Sequence, residues 1–232
     1  MATENSHSGL SGSMTDLMTS LAVIFILLLV ATMNNKQQEV RQSRENILAK
    51  LRETLNQELV EYKGLELKND KDDPLSLIVV VPEGLLNFPL NKADIPDQGL
   101  LFLQRITPKL AETLCSSEFR PEVSSIVIEG HADKSGGDEI NLPLSQQRSM
   151  SVVRETLGIL GKTDAQKNPN DQSTRPCFLD LVSATGRGSV DPYRNDDGTE
   201  DLAKSRRVVF KIRVRSHEEK VVNKAASAFE EK

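Results

Sequence analysis

One carboxylate, Asp16, heads an uncharged apolar run from Leu17 to Met33, and polar chain follows it for the rest of the sequence. A charged side chain in hydrocarbon costs about 3 kcal/mol or more, so where one occurs it faces protein or water and usually serves a purpose. The run alone is slightly shorter than the roughly 20 residues that cross a bilayer. Residues 14–35 together are long enough, and they predict a single transmembrane helix. A cleaved leader would begin with a basic region, whereas no Lys or Arg precedes Lys36.

Two roles are open to Asp16 from the residues alone. As an N-cap at the lipid boundary, beside Ser13 and Thr15, it would satisfy the first free amides of the helix. As a functional carboxylate it would share a helical face with Thr19 and Ser20, three and four residues on. A helix that only anchors gains nothing from a polar stripe, while one packed against partner helices can line an ion path with it. One helix cannot enclose such a path, so an ion-translocating Asp16, supported by Thr19 and Ser20, requires partner membrane helices that this chain does not supply.

The remaining sequence narrows the function classes. A net charge of -5 and the scarcity of aromatics, with no Trp, two Tyr and seven Phe, argue against nucleic acid, which needs basic surface or stacking platforms. Cys115 and Cys177 are the only cysteines; one disulfide in an oxidising compartment is compatible with them, and the residues alone leave that pairing open. His7, His131 and His217 lack metal-ligand spacing, and no Ser or Cys sits in a nucleophile motif. We expect no metal, no cofactor and no enzyme, and read His131 as a satisfied structural residue. The acidic loop from Ser189 to Thr199 lacks the EF-hand register and reads as a turn.

Residues 36–74 form a charged connector, Pro-free up to residue 68. Leu48, Leu51, Leu55, Tyr62 and Leu65 fall at a or d positions of one heptad frame, interrupted at Arg44 and Glu58. The pattern fits a dimeric coiled coil or a solvated single helix. The Asp-rich stretch Asn69 to Pro74 should end the helix, because the residue before Pro avoids the helical region. A domain is expected over residues 75–215, followed by a charged tail, 216–232. Within the domain, Leu75 to Val81, Ile126 to Glu129, Phe178 to Val182 and Val208 to Val214 read as strands. Gln98 to Cys115 and Ser145 to Leu160 read as helices. The expected class is α+β, a β-α-β-α-β-β mixed sheet with helices on one face.

The run from Ile126 to Leu157, IVIEGHADKSGGDEINLPLSQQRSMSVVRETL, resembles the OmpA-like peptidoglycan-binding domain: a strand, Gly-His-Ala-Asp, a Gly, Asn-x-x-Leu-Ser-x-x-Arg and a helix. Gly186, Pro192 and Ser205-Arg206-Arg207-Val208 resemble that family's closing elements, with Ser205 where Asn is usual. The resemblance implies binding to the diaminopimelate of the peptidoglycan stem peptide, which offers an ammonium and a carboxylate at one carbon. It assigns Asp133 to the ammonium and Arg148 to the carboxylate, with Asn141 and Arg206 at further ligand-contacting positions. A guanidinium suits the carboxylate because its fork donates two parallel hydrogen bonds.

At the other end, Asp16-Leu17-Met18-Thr19 followed by a greasy run resembles the B subunits of flagellar-type stators, with Leu17 in place of an aromatic. The missing basic, Trp-containing N-terminal stretch and the divergent sheet domain make the chain more similar to the related B subunits of the Zorya anti-phage defence system. That resemblance implies an inner-membrane, single-pass homodimer within a multi-span A subunit, with residues 1–13 in the cytoplasm and the C-terminal domain in the periplasm. Asp16 would carry protons while the domain grips peptidoglycan. The positive-inside rule points the other way, because Lys36, Arg41, Arg44, Lys50 and Arg52 all follow the span; the domain resemblance decides the orientation adopted here. The rival readings are a flagellar-type stator subunit, a non-conducting tether between inner membrane and wall, and a secreted wall-binding protein.

Overall fold

The computed structural model describes residues 7–62, 64–86, 88–89, 91–167, 171, 173–216 and 219. Apart from Ser216 and Glu219, the expected tail lies outside them, as do residues 1–6. The chain divides into two compact units, one ending at Glu45 and one running from Asn46 onward.

The first unit is helical. Helix α1 (His7–Leu59) supplies it with the residues up to Glu45. Leu17, Leu21, Phe25 and Leu28 are all exposed, like the rest of the apolar run, and the stretch is long and apolar enough to cross a membrane. Asp16 lies more than two turns inside α1 rather than at its start, so the capping role considered above does not apply. The Thr19 hydroxyl donates to the Asp16 carbonyl at 2.9 Å, the back-bond that threonine makes within helices.

The second unit is a five-stranded mixed sheet covered on one face by helices. In chain order, after the end of α1, come β1 (Glu66–Asn69), β2 (Ser76–Pro82), α2 (Asp97–Leu114), β3 (Val123–His131), α3 (Asp138–Gln166), α4 (Arg175–Leu181), β4 (Val182–Gly186), the single turn α5 (Leu202–Ser205) and β5 (Arg207–Val214). The strands lie in the order β1-β2-β5-β3-β4. Central β5 runs antiparallel to β2 and β3, and α3 provides the crossover that leaves β4 parallel to β3. Alternation puts Leu77, Val79, Val81, Ile126, Ile128, Val208, Phe210 and Ile212 on the covered face. There they pack with Phe102, Leu103, Ile106, Leu110 and Leu114 of α2 and Val152 and Leu160 of α3. From β2 to β5 the α+β expectation holds.

Three expectations change. Leu51, Leu55 and Leu59 of α1 are buried in the domain core, joined by Leu48, Tyr62 and Leu65. The heptad-like stripe therefore covers its own domain, and the boundary moves from the Asn69–Pro74 stretch back to about Asn46. A leucine face at helical spacing satisfies either partner equally, which is why periodicity alone did not decide. Asn69 to Pro74 does not end a helix; it turns β1 into β2, with Asp73 accepting from the Leu75 N–H at 3.0 Å and the Ser76 hydroxyl at 2.8 Å. Finally, the segment read as a strand from Phe178 to Val182 is mostly α4, with Phe178 and Leu181 buried one turn apart, and the strand follows it.

Cys115, at the end of α2, and Cys177, in α4, are joined by a disulfide. Asp164 of α3 accepts from the Thr174 N–H at 3.1 Å and the Arg175 N–H at 2.8 Å, capping α4 from outside. Burial opposes its charge, but these bonds and the Ser173 and Thr174 hydroxyls hold its carboxyl far below the usual range.

Two glycines set how closely α3 approaches the sheet. Gly130 and Gly186 pair across β3 and β4. A Cβ on Gly130 would stand 2.2 Å from the Ser145 carbonyl oxygen, and one on Gly186 would stand 2.5 Å from the Gln146 nitrogen. The close approach lets the Gly186 N–H donate to Gln146 Oε1 at 2.6 Å and the Gly188 N–H donate to Ser145 Oγ at 2.9 Å. We expect Gly130→Ala to cost about 3 kcal/mol by overpacking, read as a lower urea midpoint. Gly158→Ala, at a helical position where a Cβ would meet nothing within 4 Å, should gain about 0.5 kcal/mol.

Candidate peptidoglycan-binding cleft

The turn after β3, the first turns of α3, the turn after β2 and the start of β5 meet at one end of the sheet. They form a small, partly open cleft whose lining includes Glu83, Phe88, His131, Arg148, Arg206 and Arg207. Asp133 is buried, with 5% exposure. Its Oδ1 accepts from the Ser135 N–H at 2.8 Å and from the Ser135 hydroxyl, and its Oδ2 accepts from Arg206 Nη1. Burial works against its charge, but Ser135 and Arg206 outweigh burial and hold its carboxyl below the usual range.

The structure brings together the four residues that the sequence singled out here. Arg206, not Arg148, bonds directly to Asp133, and its Nε donates to Glu83 Oε2 at 2.7 Å. Arg148 donates through Nε to the Lys92 carbonyl at 3.1 Å and through Nη2 to the Pro89 carbonyl at 3.4 Å. Its guanidinium also lies 5.0 Å over the Phe88 ring, within cation–π range. Burial works against the Arg148 charge, and Glu83 offsets this more than Asp133 does. Asn141 spends its amide nitrogen on the main chain, donating to the Asp133 carbonyl at 2.8 Å and the Gly136 carbonyl at 2.9 Å. It fixes the turn that presents Asp133. Glu83 and Phe88 escaped the sequence reading, since neither falls in the motif and Glu83 is 123 residues from Arg206.

His131 is buried at 4% exposure. Neither ring nitrogen has a hydrogen-bond partner among the described residues, and the closest carboxylate oxygen, on Glu129, is 3.6 Å from Nε2. His131 also lines the cleft, and it lacks the hydrogen bonds expected of a satisfied structural residue. Burial, with Arg207 nearby, pushes the imidazole below its ordinary value, against the pull of Glu129. The folded state then binds fewer protons than the unfolded chain, so this contribution is complete above about pH 6.5 and is lost as the pH falls toward the depressed value. Wild-type protein should melt at a lower temperature at pH 5 than at pH 7.5, and His131→Gln should flatten that slope. The depressed carboxyls of Asp133 and Asp164 respond only at still lower pH.

No protein-family model matches the sequence. The chain is similar to the Zorya protein ZorB of Escherichia coli strain ATCC 8739, 27% identical over 216 residues, covering 86% of each chain. A ZorB from Escherichia coli O139:H28 is 28% identical over 162 residues, 67% of this chain and 63% of that protein. Among solved structures, a MotB-like protein from Desulfovibrio vulgaris matches 77% of this chain and 99% of its own with a TM-score of 0.51. At 22% identity that likeness concerns the fold.

Proposed function

We propose that this chain is the peptidoglycan-anchored, ion-conducting B subunit of a stator-like inner-membrane motor of the Zorya anti-phage type. The observation that carries the reading is the combination, in a chain similar to ZorB over most of its length, of two features. One is an acid inside a lipid-length apolar helix. The other is a cleft lined by Glu83, Arg148 and Arg206, with a second acid, Asp133, bonded to Arg206. The second feature suits a ligand carrying both an ammonium and a carboxylate, as diaminopimelate does.

The roles divide along the chain. Two copies of α1 sit inside a ring of a multi-span A subunit, where Asp16 of each copy takes up and releases protons in turn, with Thr19 and Ser20 on the same face. Moving one charge through 100 mV yields about 2.3 kcal/mol, enough for repeated transfers to drive rotation. The periplasmic domains grip the wall and hold the dimer still, without which the core would turn with its ring. Co-purification from membranes tests the assembly. The expected result is a stable complex with a multi-span membrane protein, in which this chain keeps its apolar segment. A mature N-terminus beyond Met33 with no membrane partner would contradict it.

A further inference from the structure

We propose that Glu83 makes the cleft selective for zwitterionic amino-acid ligands, an inference that rests on the wall-binding reading and extends it. Glu83 sits just after Pro82, the last residue of β2, and accepts from Arg206 Nε while Asp133 accepts from Arg206 Nη1. Glu83, Arg148 and Arg206 line the cleft, and Asp133, bonded to Arg206, completes a quartet of two carboxylates and two guanidiniums. Arg207 also lines the cleft, but the Asp191 carboxylate and carbonyl meet its charge. The quartet is balanced, and a ligand that is itself balanced leaves no net charge in a partly buried site.

Glu83 also makes ligand entry feasible. An arriving ammonium must compete with Arg206 for Asp133. Because Arg206 keeps its Nε bond to Glu83, it can yield one bond at Asp133 without becoming an unpaired charge, while the ligand carboxylate meets Arg148. Removing the Glu83 charge leaves two guanidiniums against one carboxylate. That cleft has a net positive charge and favours ligands that carry carboxylates alone.

The test is calorimetric titration of the full chain in detergent with meso-diaminopimelate and with pimelate, which has the same carbon chain and carboxylates but no ammonium groups. Wild-type protein should prefer diaminopimelate. Glu83→Gln should lower that preference about tenfold, Glu83→Ala should do the same, and Glu83→Asp should restore much of it. A preference unchanged in both Glu83→Gln and Glu83→Ala would overturn the assignment. If wild-type protein is retained by sacculi yet shows that unchanged ratio in the variants, only the role of Glu83 falls; if wild-type protein binds neither ligand nor sacculi, the wall-binding reading falls with it.

Discussion

A fragment limited to residues 75–215 is expected to show no cooperative melting transition, whereas one beginning at Asn46 should unfold as a single unit. The shorter fragment lacks β1, which pairs with β2 from Glu66↔Val80 to Asn69↔Leu77, and so turns β2 into a bare edge. It also lacks Leu51, Leu55 and Leu59, which are 0%, 0% and 6% exposed in the domain core. Burying a leucine is worth about 2 kcal/mol, so three contribute about 6 kcal/mol, comparable with the whole stability of an ordinary domain, about 5–15 kcal/mol. Tyr62, edge-on to Phe102 with ring centroids 5.9 Å apart, is lost as well. Circular dichroism melts of the two fragments check this directly. A cooperative, native-like melt of residues 75–215 would show that the end of α1 is not part of the domain core.

The second large effect concerns the cleft. Asp133→Asn and Arg148→Ala should each abolish retention of the full chain by purified sacculi under conditions where wild-type protein is retained. A hydrogen bond to a charged group is worth about 1.5–3 kcal/mol, so losing one such contact weakens binding by about tenfold or more. Asp133→Asn is preferred to Asp133→Ala because it keeps the side-chain shape while removing the charge that the ammonium and Arg206 share. Arg148→Ala removes both the proposed donor to the ligand carboxylate and the two bonds to the Pro89 and Lys92 carbonyls. Melting temperatures measured on the same samples separate unfolding from lost binding. Undiminished retention of both variants would retire the site.

Much of the domain was legible because its elements carry clean periods. Strands β2, β3 and β5 alternate buried and half-buried residues, and α2 presents Phe102, Leu103, Ile106 and Leu110 on one face. Strand β1 was missed because it is a short, mostly exposed edge with no apolar alternation, only Leu67 being partly covered. It also follows a charged, Pro-free stretch that reads as continuing helix. The leucine stripe of α1 was legible as a buried face, but a period identifies the face and not what covers it. In α4, the run from Phe178 to Leu181 is too short for strand and helix spacing to separate, and Pro176 in its first turn was the overlooked helix signal.

The site divides in the same way. Asp133, Asn141, Arg148 and Arg206 came from a resemblance that spans distant parts of the chain, since no local pattern joins residues 73 apart such as Asp133 and Arg206. The resemblance supplied the set but not its wiring. The bond from Arg206 to Asp133, the hold of Glu83 and the main-chain tethering of Arg148 depend on how β2, β3 and β5 end beside one another. Asp16 stood out for a simpler reason: an acid heading an apolar run is visible without any fold.

In the proposed motor, Asp16 exchanges protons among membrane helices while the C-terminal domain holds the wall. The most direct test compares wild-type protein with Asp16→Asn, each expressed with the proposed multi-span A subunit, for proton conductance across the membrane and for complex recovery from the same cells. The expected result is that Asp16→Asn abolishes conductance and phage defence while the complex is recovered in wild-type amount and sacculus retention is unchanged. Full conductance and full defence by Asp16→Asn would contradict the motor reading and leave only a wall tether.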